Sequence, residues 1–132
     1  MAIINRDPNY SDLDLDFLAH PTTGDIVKKK GEAAVKRSIR NLVLTNYYEK
    51  PFRSYVGSNA YKMLFENPNY LTANAIKDDI KNTISRLEPR VIILAIDVTY
   101  NEEGDGYVIT IGYSLVNRPE PLVTTIFLER IR

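Results

Sequence analysis

The stretch ANAIKDDIKNTISRLEPRVIILAIDVTY, residues 73–100, changes its hydrophobic period midway, and that change decides the fold. Ala73, Ile76, Ile80, Ile84 and Leu87 recur at three and four residues, the spacing of one face of an α-helix. Thr72 precedes them as a candidate N-cap, because its hydroxyl can accept from a backbone N–H of the first turn. Pro89 ends the pattern: its ring pushes residue 88 toward extended geometry, so the helix stops before it. From Val91 to Tyr100 the chain is β-branched and apolar on both faces, which is the composition of a strand.

Downstream, Tyr107 to Val116 sets Tyr107, Ile109, Ile111 and Tyr113 against smaller residues, and Leu122 to Leu128 reads as a third strand. Glu102 to Gly106 and Asn117 to Pro121 read as the turns between them. Upstream, a short helical candidate runs from Ser58 to Glu66 with Ala60, Met63 and Leu64 inward, and Asn67-Pro68-Asn69 stops it. Before it lies a loop carrying Glu49-Lys50-Pro51-Phe52-Arg53. Earlier still, Val35, Ile39, Leu42 and Val43 mark an amphipathic helix from Glu32 to about Thr45 or Asn46, with Lys36, Arg37 and Arg40 on its other side.

The first thirty residues are polar and rich in turn formers, as at Asp7-Pro8-Asn9 and from His20 to Asp25, and read as an extended arm. Within it Leu13, Leu15 and Phe17 alternate with Asp12, Asp14 and Asp16, the period of a half-exposed strand. The expectation is a single α+β domain over 1–132: an arm over 1–30, two to three helices over 31–89, and an antiparallel three-stranded meander over 90–132 with helices packed on one face.

Composition excludes several function classes. Seventeen basic residues balance seventeen acidic ones, so the electrostatic footprint of a nucleic-acid binder is missing. There is no cysteine, which removes disulfides, thiolate catalysis and cysteine-ligated zinc. The amino terminus lacks a secretory apolar core and the run from Val91 to Ile96 is too short to cross a bilayer, so the sequence predicts neither export nor membrane insertion.

The candidate chemical groups are few. Asp12-Leu-Asp-Leu-Asp16 resembles the start of a calcium loop, but the sixth position is Phe17 where glycine is needed and the twelfth is Thr23 where a bidentate glutamate belongs. No metal or cofactor is expected. His20 is the sole histidine, and no Gly-x-Ser-x-Gly elbow offers it a serine to activate. Glu49, Glu66 and Glu88 are the candidates for a paired-carboxylate glycoside hydrolase, yet each stands beside a cation or at an element boundary, where carboxylates usually cap or pair. Glu88-Pro89-Arg90 is the more constrained feature. Proline holds Glu88 and Arg90 in a fixed relation at the helix-to-strand corner, either as an exposed ion pair worth under about 1 kcal/mol or as a rigid recognition knob.

Five landmarks follow one another in order: Gly24-Asp25-Ile26; Ala34 to Leu42; Lys50-Pro51-Phe52 with Gly57; Leu64-Phe65-Glu66; and Glu88-Pro89-Arg90-Val91. With these the chain resembles the tail-baseplate wedge family of contractile phages, called sheath initiators or lysozyme-like wedge proteins, which is similar to a baseplate component of type VI secretion. Arg53-Ser54-Tyr55-Val56 departs from that family's pattern, which has proline and an acidic residue before its glycine. The resemblance implies a non-catalytic virion subunit of the tail baseplate, assembled in the host cytoplasm. It implies wedge core-bundle proteins and tail sheath protein as partners, with tail tube or hub neighbours as further candidates, and neither nucleic acid nor membrane.

It further implies that Glu88, Pro89 and Arg90 contact the core bundle. For the sheath, a meander has edges whose unpaired backbone can take an incoming strand, which points to the strand of Leu122, Thr124, Ile126 and Leu128 and to the Leu13 to Phe17 arm. The competing enzyme class is a peptidoglycan-degrading lysozyme using paired glutamates; a third is a cytosolic adaptor of the same fold.

Overall fold

The computed structural model describes residues 11–13, 19, 21–22 and 28–130. Its elements are β1 (Ser11–Leu13), β2 (Lys28–Lys30), α1 (Glu32–Leu44), α2 (Ala60–Met63), α3 (Tyr70–Leu87), β3 (Val91–Asn101), β4 (Gly106–Leu115) and β5 (Arg118–Glu129). The chain divides into two compact units, Met1–Ser38 and Ile39–Arg132, with the boundary inside α1.

In the first unit β1 and β2 form an antiparallel pair, with Ser11 opposite Lys30 and Asp12 opposite Lys29. Gly31, at φ 63°, then turns the chain from β2 into α1, a backbone conformation that costs glycine little. Of the strand read between Leu13 and Phe17, only Leu13 falls in β1; Asp14, Leu15, Asp16 and Phe17 lie outside the described residues, as do His20 and Thr23.

The second unit holds helices followed by the three-stranded sheet. Helix α3 begins at Tyr70, not after Thr72. Asn69, in extended geometry, is the cap: its Oδ1 accepts the Thr72 N–H at 2.8 Å. Thr72 is buried inside the first turn and its hydroxyl donates to the Asn67 carbonyl at 2.9 Å. Either residue type can cap, and here the Thr72 hydroxyl is engaged with the Asn67 carbonyl while Asn69 caps.

The expected stripe holds. Ile76, Ile80 and Ile84 are fully buried, joined by Thr83, and α3 lies against β3. Each such isoleucine contributes on the order of 1.5–3 kcal/mol by leaving water, so the stripe is what fastens helix to sheet.

The sheet order is β3-β4-β5, antiparallel throughout. Its register aligns Tyr100, Tyr107 and Leu128, then Val98, Ile109 and Ile126, then Ile96, Ile111 and Thr124. From these rows Tyr107, Ile109, Ile111, Thr124, Ile126 and Leu128 are buried, which identifies the core face. The alternate residues Ile92, Val123 and Phe127 are exposed.

Two sequence expectations are corrected. Strand β3 is not buried on both faces: Ile92 and Leu94 are about half exposed, and the register slips between Ile93 and Ala95, so Leu94 sits at a bulge. Strand β5 starts at Arg118, inside the segment read as a turn, and takes in Pro119 and Pro121. Proline is tolerated there because β5 is an edge strand of the β3-β4-β5 sheet, and among the described residues its outward backbone groups have no ladder partner to lose.

Candidate functional site

The helix-to-strand corner is built from backbone first. Glu88 is the C-cap of α3, with its N–H donating to the Ile84 carbonyl at 2.9 Å. The Val91 N–H donates back to the Glu88 carbonyl at 3.3 Å, and the Val116 N–H donates to the Arg90 carbonyl at 3.1 Å. The corner is therefore tied to the helix on one side and to the segment after β4 on the other. Pro89, exposed between them, restricts the turn.

Across this turn Arg90 Nε donates to Glu88 Oε1 at 2.5 Å and Arg90 Nη2 to Glu88 Oε2 at 2.7 Å, a two-pronged fork. Glu88 is only 3% exposed, whereas the Arg90 side chain is 24% exposed. Of the two sequence readings, the one that set both charges at the surface is corrected for Glu88: the carboxylate is inside, and Arg90 is the member that reaches the surface. A signal for this was present. Ile76, Ile80, Ile84 and Glu88 continue one four-residue series, so position 88 falls on the buried stripe.

The residues named for strand templating are placed by the register. Thr124, Ile126 and Leu128 are buried and Leu122 is half-buried, all on the core face. Their side chains hold β5 in place, while Val123, Thr125 and Phe127 face outward. Among the described residues β5 pairs only with β4, leaving its other edge open.

Each of the three glutamates has its own setting among the described residues. Glu49 is exposed and its Oε2 accepts the Asn46 N–H at 2.8 Å; Glu66 is exposed; Glu88 is held by Arg90. A hollow of about 390 Å³ lies elsewhere, lined by Tyr47, Tyr48, Ser54, Tyr55, Asn59 and Lys62, and none of the three carboxylates lines it. Among the described residues no group of three or more His, Asp or Glu side chains is placed to hold a metal ion.

The β3–β4 turn carries a tyrosine pair. Tyr100 donates to Asp105 Oδ1 at 2.9 Å, and the Tyr100 and Tyr107 rings meet edge-on at 5.2 Å. The bond to Asp105 holds the Tyr100 phenol above its usual pKa, and burial does the same for Tyr107. Both stay neutral at ordinary pH, so neither is an activated phenolate. The Arg130 N–H donates to the Asp105 carbonyl at 2.9 Å, tying this turn to the end of β5.

Sequence reasoning read a loop at Glu49 to Arg53 and a landmark at Lys50-Pro51-Phe52 with Gly57, but not the contacts that hold it. Arg86, in the last turn of α3, donates from Nη2 to the Tyr55 carbonyl at 3.1 Å and lies over the Tyr47 ring. The Tyr48 N–H donates to the Ser54 carbonyl at 3.0 Å, and the Ser58 N–H to the Thr45 carbonyl at 2.8 Å. Gly57, at φ 131°, lies where an added Cβ would come within 2.5 Å of the Thr45 carbonyl oxygen, so no larger residue closes this loop.

Residues 29–120 match the family model described as "Baseplate wedge protein gp25". The chain is similar to baseplate wedge protein gp25 of Enterobacteria phage T4, 27% identical over 122 residues that cover 92% of this chain and 90% of that protein. It is also similar to a solved structure from Geobacter sulfurreducens described as a tail lysozyme, at a TM-score of 0.66 and 25% identity, covering 79% of this chain and 96% of that one. A chain of the anti-feeding prophage baseplate shares the fold at a TM-score of 0.65 and 20% identity, covering 93% of this chain and 88% of that one.

Because Glu88 is buried, removing Arg90 alone takes away the two charge-assisted hydrogen bonds that its carboxylate accepts from the guanidinium. Arg90→Ala is expected to lower the unfolding free energy by about 3 kcal/mol. The Glu88→Ala, Arg90→Ala double variant is expected to fall short of the summed single effects by at least about 1 kcal/mol. Urea unfolding of the four chains measures this; additive effects would contradict a coupled buried pair.

Proposed function

The chain belongs to the baseplate wedge protein gp25 family, and from that premise we propose that it is a non-catalytic structural wedge subunit with two working surfaces. At the corner of Glu88, Pro89 and Arg90 it docks on the core helical bundle of the wedge. At the outer edge of β5 it offers backbone to the first ring of tail sheath protein. It does both within the tail baseplate of the virion, after assembly in the host cytoplasm.

The sheet order is the observation that carries this reading. Among the described residues strand β5 pairs on one flank only, and an open edge presents N–H and C=O groups that an added strand satisfies. The central part of β5, from Leu122 to Glu129, contains no proline, while Pro119 and Pro121 blunt its start. The opposite edge, β3, is interrupted by the bulge at Leu94, which spoils a continuous ladder. Core-facing Leu122, Thr124, Ile126 and Leu128 support templating by fixing the strand while the backbone does the pairing.

The corner has the complementary quality of rigidity. Arg90 is oriented by two bonds to a buried carboxylate, so little side-chain freedom remains to be lost when a partner binds. The likeness to a protein described as a tail lysozyme raises the hydrolase alternative. Paired-carboxylate hydrolysis needs two glutamates flanking one cleft, and the placement of Glu49, Glu66 and Glu88 gives that alternative no support.

The two surfaces separate by experiment. The Glu88→Ala, Arg90→Ala double variant, purified as a folded chain, is expected to be at least tenfold depleted from baseplates; normal incorporation would remove the docking role. Thr125→Pro deletes one backbone donor of β5, with Thr125→Ala as the control that keeps it. With its fold verified by circular dichroism, the proline variant is expected to enter baseplates yet yield at least tenfold fewer sheathed tails by electron microscopy. Equal counts for the two variants would count against templating.

A further inference from the structure

The loop from Tyr47 to Gly57 shows its largest apolar groups to solvent. Phe52 is fully exposed at 105%, Tyr48 is 79% exposed and Tyr55 57%. Tyr48 and Phe52 both hold left-handed backbone, at φ 67° and 63°, a conformation that aromatic residues rarely adopt and that persists only where the surroundings enforce it. The surroundings do enforce it. Asn46 N–H on Glu49, Tyr48 N–H on Ser54, Arg86 on Tyr55, and the tight seat of Gly57 fix the loop at several points. An exposed aromatic on a rigid, strained loop brings contact area with little entropy left to lose, which is the profile of an interface anchor.

The charges around the loop indicate what it takes. Lys50, Arg53 and Lys62 are exposed, Lys62 also lines the adjoining hollow, and among the described residues none of their side chains has a carboxylate partner. The nearby carboxylates are already committed to backbone: Glu49 to the Asn46 N–H and Asp79 to the Asn59 N–H, the latter at 2.7 Å. The surface is therefore aromatic and net cationic although the whole chain carries no net charge.

We propose that this loop is a third docking surface, for an acidic, apolar segment of a neighbouring tail protein. Phe52 and Tyr48 pack on the segment's apolar side chains, and Lys50, Arg53 and Lys62 pair with its carboxylates. The proposal relies on residence in a particle but not on what the corner or the β5 edge does. The loop is nevertheless tied to the helix end that carries the corner, because Arg86 stands two residues before Glu88.

The test replaces Phe52 with the photoreactive amino acid p-benzoylphenylalanine in the full chain, irradiates assembled tails, and identifies the joined segment by mass spectrometry. The expected product is one junction, to a segment of a different protein that is net negative and contains apolar residues. Charge reversal by Lys50→Glu, Arg53→Glu and Lys62→Glu together is expected to lower its yield at least tenfold. Phe52→Gly is expected not to lower the thermal midpoint, since the side chain contacts only solvent and glycine accepts φ 63° readily, and to be at least tenfold depleted from tails in competition with the unaltered chain. A junction to a basic segment or to a second copy of this chain, or no junction at all, overturns the proposal. So does full competitiveness of Phe52→Gly. Failure of the corner or edge variants to show their expected defects leaves the junction unaffected, so the two accounts fail separately.

Discussion

A carboxylate that is only 3% exposed at the end of a helix needs fixed donors, and Arg90, two residues further on, supplies two of them. Much of the second unit depends on that match. The pair spans the only turn through which α3 passes into β3, and Pro89 between its members keeps the helix from running on. Once α3 stops at Leu87, its isoleucine stripe and the buried face of the sheet can share one core. The Val116 bond to the Arg90 carbonyl links the same corner to the far end of β4, so one short segment joins all the layers it touches.

From that arrangement the open surfaces follow. With β4 central, the sheet has two edges, and they differ: β3 is bulged at Leu94, while β5 runs on from its prolines to Glu129. Side chains of β5 serve the core at alternate positions, and among the described residues its backbone pairs on one side only. The helical half contributes the loop clamped by Arg86, where the chain holds aromatic residues in strained backbone and shows them outward. A structural baseplate subunit of the gp25 family that must meet several neighbours has use for separate surfaces rather than one cleft.

Most of the fold was legible because its signals are periodic. Ile76, Ile80 and Ile84 announce a helix face, Pro89 its end, and Tyr107, Ile109, Ile111 and Tyr113 a half-buried strand, and each lies where periodicity placed it. The misses turn on which groups the folded chain brings together, which residue type alone does not encode. Asn69 and Thr72 are both good caps, and in the fold the Thr72 hydroxyl is engaged with the Asn67 carbonyl while Asn69 caps. Pro119 and Pro121 read as a turn until the sheet order makes β5 an edge. At the corner, residue type said surface while spacing said core, and spacing was right for Glu88. The loop around Phe52 was legible as a loop, but its left-handed backbone and the bond from Arg86 to Tyr55 depend on groups far apart in the chain.

The account as a whole stands on the chain being a built-in part of the tail. Quantitative mass spectrometry of purified tails against an isotope-labelled standard of this chain tests that directly. The account predicts that the chain is present at a constant ratio to the sheath protein from one preparation to the next. Its absence from purified tails, with the chain recovered only from the soluble fraction of the producing cells, would contradict it.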